Sequence, residues 1–479
     1  MHMDFNSGYT MTIDGKACGT QGGLDVVNPA TGDVFASAPA ATAADLDEAV
    51  AAAHAALPAW KALPITARRE LLIAAANAIK ANADDLAHLF VREQGRPFEA
   101  ARQEILFGSI WLKSVARQEL PVEVVEDTPA RRVEVHHEPL GVVCAIVPWN
   151  FPFLLAIWKI APALLTGNTM VLKPSPFTPL CALKLGELWR DILPPGVFNV
   201  LCGGDELGPL MTAHAGFAKI SFTGSTATGK RVMESAAKDL KRVTLELGGN
   251  DVAIVMPDVD VDQVAAEIFH GAFYNSAQVC VATKRLYIHD DIYDALRDRL
   301  HALALDATVG DGAEAGSQFG PVQNAPLHRR LLALIAEARA EGLTLLTGKA
   351  VPEGGGYFVP LTLVDNPPET ARVVAEEAFG PVLPLLRFSD LDDVIRRAND
   401  SDYGLAGAVW SKDIEQAVSI AKRLDTGNVW INQNLQNTPA IPFAGRKQSG
   451  LGVENGVEGL KSFTQMKSIF IPKVQEEAA

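Results

Sequence analysis

Five short segments decide the fold: Val142-Val143-Cys144-Ala145-Ile146-Val147, Thr169-Met170-Val171-Leu172, Val197-Phe198-Asn199-Val200-Leu201, Lys219-Ile220-Ser221-Phe222 and Thr244-Leu245-Glu246-Leu247. Each is apolar almost throughout rather than alternating, as strands buried on both faces of a parallel sheet are. Val252–Val255 is a sixth such run. Segments with helical spacing lie between most of them, at Leu154–Leu165, Pro179–Asp191, Leu207–His214 and Ala227–Lys238. This repetition predicts a doubly wound α/β sheet with right-handed crossovers. Ligands on such sheets bind beyond the carboxyl ends of the strands, so the residues just after each strand bear on function.

Upstream, a short β-like start (Met11–Ile13, Asp25–Val27) leads into helices at Ala49–Leu63, Arg68–Leu86 and Glu99–Glu119. Thr42 is placed to cap the first, and Pro64 and Pro97 sit where helices begin. Downstream a second alternation appears. Its helices are Gln263–Ser276, Asp294–Leu305, Leu327–Ala340, Asp390–Arg397 and Ile414–Leu424. Its strands are Arg285–His289, Tyr357–Thr362, Val382–Phe388, Gly407–Trp410 and Asn428–Asn432. A second α/β domain is expected there.

The chain has 479 residues, enough for at least two domains, and a formal net charge of −15 that repels phosphate backbones and argues against nucleic acid as a partner. Apolar residues make up 48% and charged residues 21%, which excludes disorder as the main state. No run is long and apolar enough to span a bilayer, and Met1 to Thr20 does not read as a secretion signal. The five cysteines (Cys18, Cys144, Cys181, Cys202, Cys280) are odd in number and dispersed, which fits free thiols in a reducing compartment, and a cytoplasmic location is expected. There is no CxxC or HExxH, and the adjacent His136 and His137 fall on opposite faces of a strand, so no metal is expected.

Four strand tips carry polar residues to one edge: Pro148-Trp149-Asn150, Lys173-Pro174-Ser175-Pro176, Thr223-Gly224-Ser225-Thr226 and Glu246-Leu247-Gly248-Gly249-Asn250. Residues 224–230 (GSTATGK) match a phosphate-loop core, but Arg231 stands where a magnesium-binding hydroxyl is required. The GxGxxG fingerprint is absent. What remains is Gly224-Ser225 opening a helix, whose free amides suit a pyrophosphate. Cys280, flanked by valines, reads on its own as a buried inert thiol.

Taken together, PWNFP (148–152), KPSP (173–176), FTGST (222–226), ELGGN (246–250), NSAQVC (275–280), EEAFGPV (376–382) and PFAGRKQSG (442–450) resemble the aldehyde dehydrogenase superfamily, in its order and at its spacing, over about residues 13–472. The resemblance implies two doubly wound α/β domains and a small β arm. Residues 1–120 and 140–248 would bind NAD(P), 249–448 would be catalytic, and 121–139 with 449–479 would form an oligomerisation arm and tail. It implies oxidation of an aldehyde to the acid through a thiohemiacetal and thioester on Cys280, with the oxyanion held by the Asn150 amide and the Cys280 N–H and with Glu246 as general base. Lys159 and Glu454 match family positions near the water path, or are structural ion partners.

For the cofactor the resemblance implies Lys173 and Ser175 near the adenosine ribose and Gly224 and Ser225 at the pyrophosphate. Glu377 would sit at the nicotinamide ribose with Phe379 beside it, and Trp149 and Leu247 would border the site. Glu376–Glu377 is otherwise a surface charge pair, and Trp149 otherwise core. Pro176 departs from the Glu that many NAD-preferring members carry, so NAD use with tolerance of NADP is expected. Phe151, Leu155, Trp158, Tyr274, Val279, Val281 and Phe443 would line the substrate tunnel, which suits a medium-sized aliphatic or aromatic aldehyde. The amide-rich mouth, residues 433–437, would bind a polar aldehyde or only hydrate the entrance. A semialdehyde, or an acylating reaction with coenzyme A, is the alternative, and Glu246 favours hydrolysis. Alternation at Val122–Val125 and Arg132–His136, with Ile469–Ile471, points to an arm that pairs edges in a homodimer or homotetramer.

Overall fold

The computed structural model describes residues 3–20 and 22–473; residues 474–479 of the expected tail lie outside them. The five deciding segments form parallel strands β1 (Val142–Ile146), β2 (Thr169–Lys173), β3 (Phe198–Val200), β4 (Lys219–Thr223) and β5 (Arg242–Glu246). They lie in the order 3-2-1-4-5. The order reverses between β1 and β4, and a crevice opens at that switch point. Met11–Ile13 adds an antiparallel strand beyond β3. Gly450–Leu451, which the sequence groups with the tail, pairs back onto β5.

Val252–Val255 (β6) does not extend this sheet. It opens a second one with β7 (Arg285–His289), β8 (Thr362–Asp365), β9 (Val382–Phe388), β10 (Ala406–Trp410) and β11 (Asn428–Ile431), in the order 8-9-7-6-10-11 and all parallel. Val252 and Ile254 join one buried cluster and Ala253 and Val255 another, so helices cover both faces. That is why these strands read as continuous apolar runs.

Some boundaries differ from the sequence reading. The single helix expected over Arg68–Leu86 is two, Ile65–Ala81 and Ala83–Gln94, because the Asn82 side chain caps backward onto the Ala78 carbonyl (2.8 Å). Thr42 caps the first helix as expected, in a reciprocal pair with Asp45. The strand expected at Tyr357–Thr362 lies at β8, and Thr344–Thr347, not foreseen, pairs antiparallel beside it. The helix expected to reach Ser276 stops at Phe273, where Asn275, Ser276 and Ala277 all turn to positive φ.

Arg131–Pro139 pairs with Glu123–Asp127 on one side and Thr464–Pro472 on the other, giving a three-stranded arm. Met466 and Phe470 stand exposed on its outer strand. Among the described residues no helix is long and apolar enough to cross a membrane.

Candidate active site

Residues from both sheets meet at the crevice. The first contributes residues at the exits of its strands: Pro148–Asn150 after β1, Gly224-Ser225 after β4, and Leu247-Gly248 after the Glu246 that ends β5. The second contributes residues at the entrances to its strands: Cys280 before β7, and Glu377 and Phe379 before β9. These surround a cavity of about 220 Å³. Of the expected site residues, Trp149, Asn150, Gly224, Ser225, Glu246, Leu247, Cys280, Glu377 and Phe379 line it together.

Burial dominates the chemistry of this cavity. Among the described residues the Glu246 carboxylate meets no N–H or O–H donor, and its hydrogen-bonding neighbour is the Cys280 thiol. Burial, with the Glu454 carboxylate facing it, pushes the Glu246 carboxyl up to about 8 against the pull of Lys159. Removal from water and the adjacent Glu246 push the Cys280 thiol well above its ordinary value, and Lys284 opposes them. Lys159 and Glu454 form a buried ion pair, with the second Glu454 oxygen unpartnered among the described residues. Lys219, which sequence reasoning missed, lies near them. Its ammonium donates to Thr244 Oγ1 (2.6 Å), and burial holds it down at about 7. A lysine opening an otherwise apolar parallel strand was the available signal.

A hydrogen-bond network ties the Asn150 tip to the Cys280 loop. Asn150 Nδ2 donates to the Gln278 carbonyl (3.1 Å), and Asn275 Nδ2 donates to the carbonyls of Asn150 (3.2 Å) and Gln278 (3.3 Å). Asn275 Oδ1 accepts from Gln94 Nε2 and Arg96 Nε, so all four of its valences are used. Arg96 also reaches the Asn150 carbonyl (2.6 Å) and the Glu104 carboxylate (2.6 Å). Glu104 accepts the Phe153 and Leu154 amides that start the next helix. Arg96 and Glu104 sit outside every recognised segment.

Elsewhere the expected residues divide. Glu376 joins surface ion pairs with Arg372 and Arg330, whereas Glu377 turns inward to Lys284 and the Gly249 amide. Trp149 packs edge-on to Phe379 at 5.5 Å. Lys173 and Ser175 do not line the cavity. They lie one strand over, where the Lys173 ammonium donates to the Pro174 carbonyl and Ser175 Oγ accepts from the Phe177 amide. Lys230 is exposed and also outside it.

None of the seven tunnel residues lines the 220 Å³ cavity. Phe151 pairs with Tyr274 (6.2 Å) and Trp158 with Phe443 (5.3 Å), and the unforeseen Trp111 stacks on Trp158. Leu155 and Val279 are buried and Val281 partly so. In the amide-rich segment, Asn434 is tied to the Glu267 carbonyl.

Residues 17–469 match the aldehyde dehydrogenase family. The chain is 42% identical to aldehyde dehydrogenase LUC3 of a Fusarium species, over 98% of this chain and all of that one. It is 36% identical to phenylacetaldehyde dehydrogenase of Pseudomonas fluorescens, over 97% and 96%. The solved NAD+ complex of aldehyde dehydrogenase from Bacillus cereus is 34% identical and superposes with a TM-score of 0.92 over 98% of this chain and 97% of that one.

The buried Arg96–Glu104 pair makes a test of the network. Glu104→Ala strands a guanidinium in the interior and frees two helix-start amides, and is expected to destabilise the protein by about 3–5 kcal/mol in urea unfolding. A loss below about 1 kcal/mol, the size of an exposed pair, contradicts this role.

Proposed function

Because the chain belongs to the aldehyde dehydrogenase family, whose reaction is oxidation of an aldehyde to the carboxylic acid with NAD(P)+, we propose that Cys280 is its nucleophile, Glu246 its general base and the Asn150 amide its oxyanion donor. One observation carries this reading: a thiol, a buried carboxyl whose hydrogen-bonding neighbour is that thiol and a side-chain amide line the same small cavity. Glu246 takes the thiol proton, and the Cys280 sulfur attacks the carbonyl carbon. The oxyanion that develops accepts hydrogen bonds from Asn150 Nδ2, one of whose two donors holds Gln278, and from the Cys280 N–H. Collapse of that adduct expels hydride from carbon and leaves a thioester on Cys280. Glu246 releases the first proton to solvent, then takes one from the water that attacks the thioester. The C–S bond breaks, the acid leaves, and the proton held by Glu246 passes to the sulfur, restoring the thiol. The Lys159–Glu454 pair sets the charge that Glu246 feels and stands beside the route of that water.

The cavity fits a nicotinamide cofactor. A Cβ added at Gly248 would lie 2.5 Å from Glu377 Oε2, so the chain backbone approaches that carboxylate as a bare surface. Ser225 caps the helix Thr226–Ala237, leaving amides for a pyrophosphate. Glu377 would hold the nicotinamide ribose, with Trp149, Leu247 and Phe379 around the ring. Lys173 and Ser175 would hold the adenosine side. Bound there, NAD(P)+ supplies the hydride acceptor.

The aromatic pairs behind Asn150, and the likeness to a phenylacetaldehyde dehydrogenase, support a medium-sized aliphatic or aromatic aldehyde as substrate, with Phe151, Leu155, Trp158, Tyr274, Val279, Val281 and Phe443 along its way in. We assign cofactor binding to residues 1–120 and 140–248 and catalysis to 249–448. Five free cysteines support a reducing compartment, the cytoplasm. The exposed strand Thr464–Pro472, with Met466 and Phe470 on it, supports a homodimer or homotetramer formed through the arm.

Free acid is expected to form in step with reduced cofactor without coenzyme A; an absolute need for coenzyme A contradicts the hydrolytic step. Glu246 acts only when ionised, and its carboxyl is raised to about 8, so the rate is expected to climb with pH through about 8. A rate that does not change across that range contradicts its role. Pro176→Glu places a carboxylate against a 2′-phosphate and should lower kcat/KM with NADP+ by about tenfold or more, leaving NAD+ near the starting value; an unchanged ratio refutes the assignment of that subsite. At micromolar concentration, light scattering should give at least a dimer, and a monomer mass contradicts the arm's role.

A further inference from the structure

Lys284 belongs to none of the recognised segments, yet it occupies the underside of the nucleophile's turn. Its side chain is almost fully buried, and its ammonium donates to the carbonyls of Cys280 (2.5 Å) and Val279 (3.0 Å), with the Ala282 carbonyl at 3.5 Å. It also pairs with Glu377 Oε1 at 3.3 Å. An ammonium has three N–H donors, and two close carbonyls with one carboxylate engage them all. Its main chain is fixed as well, since the Lys284 amide donates to the Asp251 carbonyl (2.9 Å).

Without a cation there, the arrangement is unfavourable. Two peptide carbonyls of the Cys280 turn and the Glu377 carboxylate would present only negative ends to one another, inside a site that excludes water. The backbone leaves little room to relax, since a Cβ at Gly249 would lie 2.9 Å from the Cys280 carbonyl oxygen. The charged groups facing Cys280 are Glu246, from the end of β5, and Asp251, ahead of β6, both of which disfavour a thiolate, and Lys284, which favours it. Among the described residues, Lys284 is thus the one cation in the set that governs this thiol's charge.

We propose that Lys284 is a positioning residue that joins the two halves of the site: it holds the Cys280 turn through peptide carbonyls and Glu377 through a salt bridge, so that thiol reactivity and binding of the cofactor ribose depend on the same ammonium. This rests on the assignment of Glu377 to the ribose. The assignment of Cys280 as nucleophile is tested separately, by loss of activity in Cys280→Ser.

The test uses the cofactor-free enzyme. Iodoacetamide labelling of the Cys280 peptide is followed by mass spectrometry across pH, and NAD+ affinity is measured by calorimetry. Lys284→Gln keeps a donor and removes the charge. It is expected to move the labelling profile up by about one pH unit, and to weaken NAD+ binding about tenfold as Glu377 loses its partner. Lys284→Arg keeps the charge and should leave both nearer the parent value. Glu377→Gln, which frees the ammonium to act on the thiol alone, should move the labelling profile to lower pH, and this arm holds even if Lys284→Gln fails to fold. A folded Lys284→Gln in which neither quantity moves, or only one does, overturns the proposal. So does a Glu377→Gln profile that stays put or rises.

Discussion

Asn275 holds the two halves of the active site together. Its amide bonds at once to the Asn150 carbonyl, at the exit of a strand in the first sheet, and to the Gln278 carbonyl, in the loop that carries Cys280 ahead of a strand in the second. It does so from a left-handed backbone conformation shared by Ser276 and Ala277. Each such residue costs about 1–2 kcal/mol relative to the right-handed region. Four side-chain hydrogen bonds at Asn275, and Ser276 Oγ on the Gly320 carbonyl (2.7 Å), offset that strain. The consequence is a thiol set against an amide supplied by a different domain. Arg96 and Glu104 extend the same brace to the start of the helix behind Asn150.

The brace would be inert without the electrostatics that surround it. Glu246 and Cys280 sit side by side in the cavity; Glu246 disfavours the Cys280 thiolate, whereas the hydrogen bond from Cys280 favours the Glu246 carboxylate, and burial outweighs that pull. Both therefore rest neutral near neutral pH, and a proton shared between them titrates as a pair. Lys159 favours the charged form of Glu246 and Lys284 that of Cys280, while Lys219 stands near Glu454.

The first domain was readable because a parallel sheet covered on both faces leaves uninterrupted apolar strands, and its functional tips come directly after them: Asn150, Ser225 and Glu246 all stand where that rule puts them. The second domain obeys the opposite geometry, presenting residues that come before its strands, and no pattern of hydrophobicity marks these. Cys280, Glu377 and Phe379 were legible only through resemblance to a family. Arg96, Glu104, Lys219 and Lys284 escaped because a buried charge looks like any surface charge until its partners, near and far along the chain, are known. The helix boundary missed at Phe273 has a related cause: Asn275 and Ser276 leave the helical region for tertiary hydrogen bonds that local propensity does not register. Lys173 and Ser175 share that edge of the sheet but lie one strand from the cavity, because a motif gives neighbourhood in sequence and not contact.

If the mechanism holds, the substrate carbon becomes covalently attached to one sulfur. The most direct test is to mix the enzyme with an aromatic aldehyde and NAD+, quench in acid during the first burst of reduced cofactor, before hydrolysis, and weigh the peptides. The peptide containing Cys280 is then expected to gain the mass of the acyl group, in an amount matching the reduced cofactor formed in a single turnover. Reduced cofactor formed while that peptide keeps its original mass, or an acyl group found on another residue, would contradict it.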